Sequence, residues 1–379
     1  MTSVVELLKK TMSHPYRADH VGSLLRPKEV LEARENPAIT RERLRAIEDA
    51  HILRVLQRQK DAGLRIFTDG ELRRHGFMSD FYESVEGLNK EESIARAWTG
   101  TGDRKGNPAW LAGLVVDRIR QTKRLTKHEV DFLREHSPGD IKMTLPSANQ
   151  FPAIAYRKGL SERAYPSFSE FLWDVVPIIR SEIQALASEG VRYIQIDAPR
   201  YSYYLDPKWR DFIRTEMGMS PDEALDEAIR ADNESVTGAK RPGVVLAIHL
   251  CRGNNRSQWY AEGGYDPIAE KLFNALDVDA FLLEYESERA GTFEPLRFVP
   301  RTKAVVLGLV SSKLPALESV GAIRTRIEEA SRYVPLENLA LSPQCGFAST
   351  CEGNLLTEDE QWRKLQLVVD AARRVWADA

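Results

Sequence analysis

The sharpest chemical signal in the chain is His249-Leu250-Cys251. Residues two apart on a strand point to the same face, so an imidazole and a thiol at this spacing can be presented to one point. Glu284 and Cys345 follow at the ends of later apolar runs. One His, two Cys and one carboxylate can complete a tetrahedral zinc shell. Cys351 is an alternative to Cys345 as ligand. The competing reading is a buried histidine with two cysteines acting as small apolar residues. No C-x-x-C pair occurs, which argues against a zinc finger. A second signal is carboxylates: Asp69, Glu71 and Asp197. Asp69 reads equally well as a helix cap. Glu71 and Asp197 come from different segments and could act as general acid and base of a hydrolase, or hold a substrate ammonium group.

These residues need a scaffold that brings distant segments together. Short apolar runs occur at residues 17–21, 64–68, 141–145, 191–196, 244–249, 280–283, 304–309 and 339–341. Amphipathic stretches with apolar residues at three- and four-residue spacing lie between the later ones, notably 168–189, 317–333 and 357–377. Gly190 is a candidate C-cap, and Thr357 with Glu360 reads as a capping box. Strands alternating with helices predict a parallel α/β sheet, and eight such units fit a (β/α)8 TIM barrel. A doubly wound sheet would usually carry G-x-G-x-x-G, which is absent. The expected architecture is one barrel domain over residues 1–379, with 89–139 as an excursion after the second strand. That excursion holds the run TGTGDRKGNP and then LAGLVVDRI, a candidate hairpin. It is open whether it caps the pocket, extends it or forms a dimer contact, and Trp98 and Trp110 are its candidate anchors.

Barrel chemistry sits at the C-terminal ends of strands. The ends here carry Ser23, Asp69 with Glu71, Thr144, Asp197 with Arg200, His249 with Cys251, Glu284, Ser311 with Lys313, and Cys345. That is more polar chemistry than turns require. The bulk composition excludes other classes. With 53 basic and 56 acidic residues the net charge is −3, which is no footprint for nucleic acid. No apolar run is long enough to span a bilayer. The first residues lack the order of a secretory signal. Three cysteines are too few for a disulfide framework, so a reducing, cytoplasmic setting is expected.

Taken together, HVGSLLRP, FTDGE, YIQIDAP, H-x-C, LLE and SPQCG, in this order and spacing, resemble the catalytic C-terminal barrel of cobalamin-independent methionine synthase. The resemblance runs from about Tyr16 to Trp376. It is to the single-barrel branch, which also includes the epoxyalkane:coenzyme M transferases. What it implies is transfer of a methyl or alkyl group from a donor to a small-molecule thiol activated on Zn2+. Residue by residue, it places His249, Cys251, Glu284 and Cys345 on the zinc ligands, Glu being the one an incoming thiol loosens. It places Ser23, Glu71 and Asp197 on the residues that hold the amino-acid end of homocysteine. A metal-bound thiol is held in its nucleophilic form at neutral pH, which agrees with these roles.

Three departures concern the donor. The family's Asp-Glu-Pro is Asp197-Ala198-Pro199 here. The tryptophan that packs on the folate pterin has no match in Pro146–Phe151, and the family histidine at the seventh strand end aligns with Ser311. The expected donor is therefore a methyl-corrinoid protein, another small methyl donor or an epoxide-like electrophile rather than a polyglutamyl folate. Lys313 and Arg200 are candidates for binding an anionic group of donor or thiol. The expected activity is zinc-dependent thiol S-methyl transfer. The alternatives are addition of a coenzyme M-type thiol to an epoxide, and a metal-free barrel hydrolase using Glu71 and Asp197. No nucleic acid or membrane partner is expected, and homo-oligomerisation is left open.

Overall fold

The computed structural model describes residues 14–92, 94, 98–99 and 113–379. Each apolar run inside that span becomes a strand or a bridge, because β-branched and leucine-rich segments of this length fit a pleated sheet buried on both faces. The strands are β1 (Ile66–Phe67), β2 (Val85–Asn89), β3 (Leu114–Gln121), β4 (Asp140–Pro146), β5 (Tyr193–Asp197), β6 (Val245–Leu250), β7 (Ala280–Glu284), β8 (Ala304–Val310) and β9 (Leu339–Pro343). Seven form one sheet in the order β1-β4-β5-β6-β7-β8-β9, every neighbouring pair parallel.

The expected first strand, at residues 17–21, is reduced to a one-residue parallel bridge between Ala18 and Leu341 on the far edge of the sheet. Asp19 N–H donates to the Leu341 carbonyl at 2.8 Å, and Leu341 N–H to the Arg17 carbonyl at 2.9 Å. On the β1 side the link is by other means: the Thr68 hydroxyl donates to the Gly22 carbonyl at 2.9 Å, and Leu24 N–H to the Gly70 carbonyl at 2.9 Å. The architecture is thus a curled parallel sheet whose continuous ladder has seven strands rather than eight. The segment Arg-Ala-Asp-His-Val carries too many charged side chains, each with its own buried partner, to run as a regular strand.

The helices include α1 (Arg41–Asp61), α2 (Lys127–His136), α3 (Phe168–Ser188), α4 (Pro221–Val236), α5 (Ala269–Ala275), α6 (Val320–Ala330) and α7 (Glu358–Val375). α7 opens with the Thr357/Glu360 capping box, and Gly190 follows α3 at φ +87°. The period-two pleat divides the strands cleanly. Ile194, Ile196, Leu246, Ile248, Phe281, Leu283, Val305 and Leu307 face outward into the main core with the helices. Val245, Ala247, Ala280, Leu282, Ala304, Val306 and Ala340 face inward, joined by Tyr16, Val21, Ile66 and Tyr193. Four inner alanines keep the concave side small enough for the sheet to curl. Between β1 and β4 the chain makes the antiparallel pair β2–β3, with Asn89 opposite Leu114. Trp110 and most of the glycine-rich run lie outside the described residues. Among the described residues no helix is long and apolar enough to cross a membrane.

A buried ion pair lies across the inside of this curl. Lys142 Nζ donates to Asp19 Oδ1 at 2.7 Å and to the His20 carbonyl at 2.6 Å, and sits 4.1 Å from the centre of the Tyr193 ring. The Tyr193 hydroxyl donates to Asp19 Oδ2 at 2.8 Å. The pair ties the bridged first segment to β4 and β5. Removing one partner strands the other charge in an apolar interior, so Asp19→Ala is expected to cost about 3–5 kcal/mol in urea unfolding. A double variant, Asp19→Asn with Lys142→Met, is expected to recover most of that loss.

Candidate active site

The inward row of β6 reads Val245, Ala247, His249, and Cys251 follows one step past the strand end. The same alternation brings Asp197 to the inner rim of β5, where it is the register partner of His249. Cys345 comes in from the turn after β9. One donor atom from each of His249, Cys251 and Cys345 lies within 4.8 Å of the other two, and all three side chains are buried. Neither ring nitrogen of His249 has a hydrogen-bond partner among the described residues. The Cys251 S–H holds the Cys345 thiol well below its usual range against the cost of burial, with His249 adding to the effect. Cys251 is pushed up correspondingly, first by its contact with Cys345 and then by burial.

The carboxylates stand beside this cluster. Glu71 sits in the turn after β1 at φ +56°, a left-handed conformation that costs a non-glycine residue energy and marks over-determined local geometry. Asp69 Oδ1 accepts from Glu71 N–H at 2.8 Å, so Asp69 caps this turn rather than a helix. Glu71 Oε1 accepts from the Thr144 hydroxyl at 2.8 Å, whose oxygen accepts from Arg74 at 3.0 Å. Arg74 is itself anchored on Glu129, with contacts of 2.9 and 2.5 Å. That chain of contacts aims the carboxylate and leaves Glu71 Oε2 buried without a partner. Asp197 Oδ1 accepts from Gln195 at 2.7 Å. Burial pushes the Asp197 pKa up to about 7, with Glu71 adding and His249 opposing.

Ser23 reaches the same space because residue 346 is glycine: a Cβ there would fall 2.0 Å from Ser23 Oγ. Ser23, Glu71, Asp197, His249, Cys251 and Cys345 all line one pocket. Two other expected site residues do not. Glu284 lies behind the cluster, with Oε2 accepting from Arg252 N–H at 2.9 Å and Oε1 paired with Arg289 at 2.8 Å. Lys313 donates to the Gly253 carbonyl, Asn254 Oδ1 and the Gln258 carbonyl at 3.0, 2.8 and 3.2 Å, so its ammonium braces the loop after β6. Cys351 pairs with His75, Sγ to Nε2 at 3.6 Å, and Arg200 lies 3.6 Å over the Tyr203 ring.

The pocket also contains Phe77, Asn254 and Tyr260, to which the sequence assigned no role, and Trp98, the candidate anchor of the excursion. Trp98 is carried in by a backbone pair between Thr99 and Trp259, at 2.6 and 2.8 Å, and meets Tyr260 edge to face with centroids 5.2 Å apart. Asn254 lies three residues past Cys251, and that adjacency is the signal that could have found it. A second set of metal-ligating types, Asp80, His128 and Glu129, also converges. Arg74 is its cation, 2.8 Å from Asp80 and 2.5 Å from Glu129.

A family profile described as cobalamin-independent synthase, catalytic domain, matches residues 152–374. The uncharacterized protein YxjH of Bacillus subtilis (strain 168) is 39% identical over 377 residues, covering 97% of each chain. The methionine synthase of Pyrococcus furiosus is 25% identical over 361 residues, covering 94% of this chain and 91% of its own. A crystal structure from Listeria monocytogenes, provisionally named a vitamin-B12-independent methionine synthase, matches with TM-score 0.71 at 31% identity, covering 96% of this chain and 99% of that one.

The raised pKa of Asp197 has a sign that can be measured. The carboxyl stays protonated in the folded chain up to about pH 7, whereas in the unfolded chain it ionises near its ordinary value of 3.8. The folded state therefore binds more protons across that window, and stability falls as pH rises through it, by up to about 4 kcal/mol from this group. Asp197→Asn removes the term. In metal-stripped protein, the variant's urea midpoint is expected to fall less between pH 4 and 7.5 than the parent's.

Proposed function

The chain belongs to the cobalamin-independent synthase family, catalytic domain, and on that premise we propose that it is a zinc-dependent transferase that alkylates a homocysteine-like thiol. The family supports methyl transfer to homocysteine in general. The observation that carries the finer reading is the convergence of His249, Cys251 and Cys345, with both imidazole nitrogens unpartnered. Two sulfurs and one nitrogen suit zinc, and three protein donors leave a fourth position open, as in catalytic zinc sites. A zinc ion there supplies the charge that lowers the pKa of a substrate thiol toward neutrality.

The chain's own residues do the rest. Glu71 and Asp197 bind the substrate ammonium, for which the unpartnered Glu71 Oε2 is an available acceptor. The Ser23 hydroxyl, held against Gly346, receives the substrate carboxylate. The donor sits on the opposite wall, above residues 144–151, against Trp98, Phe77 and Tyr260. The described lining holds no Lys or Arg, so it offers no cation to the carboxylates of a polyglutamyl folate, which supports a donor without a polyanionic tail. Binding both reactants in one pocket with the thiol oriented supplies the proximity term of the rate. In this reading the sheet functions as a closed (β/α)8 barrel with residues 89–139 as an excursion after the second strand. The ammonium-binding carboxylates weigh against a sulfonate thiol of the coenzyme M type.

Plasma mass spectrometry on protein purified without chelator is expected to find about one zinc per chain. Cys251→Ser and Cys345→Ser are expected to lose it, and homocysteine is expected to release a proton on binding and raise the melting temperature. Coenzyme M is expected to do neither. Retention of full zinc by both cysteine variants would overturn the assignment, and full activity without zinc would favour Glu71 and Asp197 as a hydrolytic acid–base pair.

A further inference from the structure

Beyond the His249–Cys251–Cys345 cluster the pocket is lined by aromatic rings and neutral amides. Trp98 and Tyr260 meet with their planes at 71° and their centroids 5.2 Å apart, so the two rings form a corner. The Tyr260 hydroxyl donates to the Pro199 carbonyl at 3.0 Å, which fixes that ring. Phe77 lines the same pocket. Gln150 lines it too, only 2% exposed, and its Oε1 is a buried acceptor with no hydrogen-bond partner among the described residues. The turn that carries Gln150 is held by Asp232, which accepts from the Ser147 hydroxyl at 2.5 Å and from Asn149 Nδ2 at 2.7 Å. Trp98 Nε1 is also buried without a partner among the described residues, which leaves one hydrogen-bond donor for an acceptor on a ligand. The carboxyl groups of the described lining are those of Glu71 and Asp197, and no Lys or Arg opposes them there.

We propose that the Trp98–Tyr260 corner binds the alkyl donor as a methyl sulfonium cation. The proposal rests on reading the site as one that alkylates a thiol, and it names the class of donor. A cation is attracted to the faces of aromatic rings, most strongly to tryptophan, and more so where water is excluded. A corner of two rings, an unpaired carbonyl oxygen on Gln150 and no competing basic side chain in the described lining suit a positively charged methyl group. The same surroundings give a polyanionic donor nothing to pair with. The reaction balances without further groups. The substrate thiolate attacks the methyl carbon, one S–C bond forms, the S–CH3 bond of the sulfonium breaks, and its electron pair stays on the leaving sulfur. The products are a methyl thioether and a neutral sulfide. One negative and one positive charge cancel, and no proton moves in this step, because the thiol proton has left on binding. An amine donor would need a proton on its leaving nitrogen. Phe77, Trp98 and Gln150 carry no acid to supply it, and the Tyr260 hydroxyl is committed to Pro199.

The test has a binding arm and a transfer arm, both on the full chain. Calorimetry is run with saturating homocysteine, so that Glu71 and Asp197 are occupied. The probes are choline, an unreactive onium, and its neutral isostere with a tert-butyl group in place of trimethylammonium. Choline is expected to bind about tenfold more tightly than the isostere. Trp98→Leu is expected to reduce that preference to less than about threefold, and Trp98→Phe to keep most of it. In the transfer arm the zinc-loaded chain receives homocysteine and trimethylsulfonium with deuterated methyl groups, and mass spectrometry is expected to find methionine carrying one trideuteriomethyl group. Triglutamyl methyltetrahydrofolate is expected to transfer nothing. Equal binding of choline and the isostere would overturn the proposal, as would a Trp98→Leu variant with the parental preference. Methyl transfer from the folate and none from trimethylsulfonium would overturn it too, and label from deuterated choline alone would overturn the choice of sulfonium. A chain that takes up zinc and homocysteine but shows no preference for the cation overturns this proposal alone. A chain that takes up neither overturns the transferase reading and this proposal with it. Should Trp98→Leu fail to fold by thermal melting, Tyr260→Leu and the parent's preference for charge decide.

Discussion

The pleat of a parallel strand turns every second side chain to the same face, and this structure is organised around that constraint. On β6 it yields Val245, Ala247, His249 and then Cys251, a row that begins as packing and ends as chemistry. On β5 the inward row is Tyr193, Gln195 and Asp197. On β4 it is Lys142 and Thr144, and on β7 Ala280, Leu282 and Glu284. The lower positions pack and pin the curl, and the upper ones furnish the site. A one-residue slip in any strand would send its functional residue into the apolar layer beneath the helices.

A concave face built this way accumulates carboxylates away from water, and the structure answers with a few buried cations. Lys142 meets Asp19 at the lower end. Arg74 meets Glu129 and Asp80 and orients Glu71 through Thr144. Arg289 meets Glu284 and Glu286. Each guanidinium has more than one acidic partner, so the arrangement is a set of shared counter-ions rather than isolated pairs. Such networks are costly when broken, and they hold geometry more than they add net stability. Glu71 Oε2 and the carboxyl of Asp197 are acid oxygens of the described pocket lining with no ion-pair partner among the described residues, and both face substrate in the proposed reading.

Much of this was legible in the linear chain. Eight apolar runs marked eight segments of the curl, and the His-x-Cys spacing marked two converging donors, because both signals depend only on local periodicity. Cys345 was legible because it ends the last run. What could not be read depends on side-chain reach across strands. Arg289 claims Glu284 from the loop five residues on, and no spacing rule distinguishes a free carboxylate from a claimed one. Lys313 read as a candidate for binding an anionic group, but its ammonium turns to the backbone and Asn254 of residues 253–258. Trp98 enters the pocket through a two-residue backbone pair with the loop after β6, which has no pattern in the sequence. The segment at 17–21 looked like an ordinary strand and is instead stitched in by Asp19, because its polar residues compete with the ladder.

The Lys142–Asp19–Tyr193 assembly also acts as a plug. It fills the end of the curled sheet opposite the pocket with interlocked charge and aromatic mass. The plug closes that end of the cavity, whose described lining runs from His249 and Cys251 to Trp98 and Tyr260. In the proposed transfer, with both reactants entering past those aromatic rings, the thiol against His249 and Cys251 is expected to bind before the donor and to leave after it.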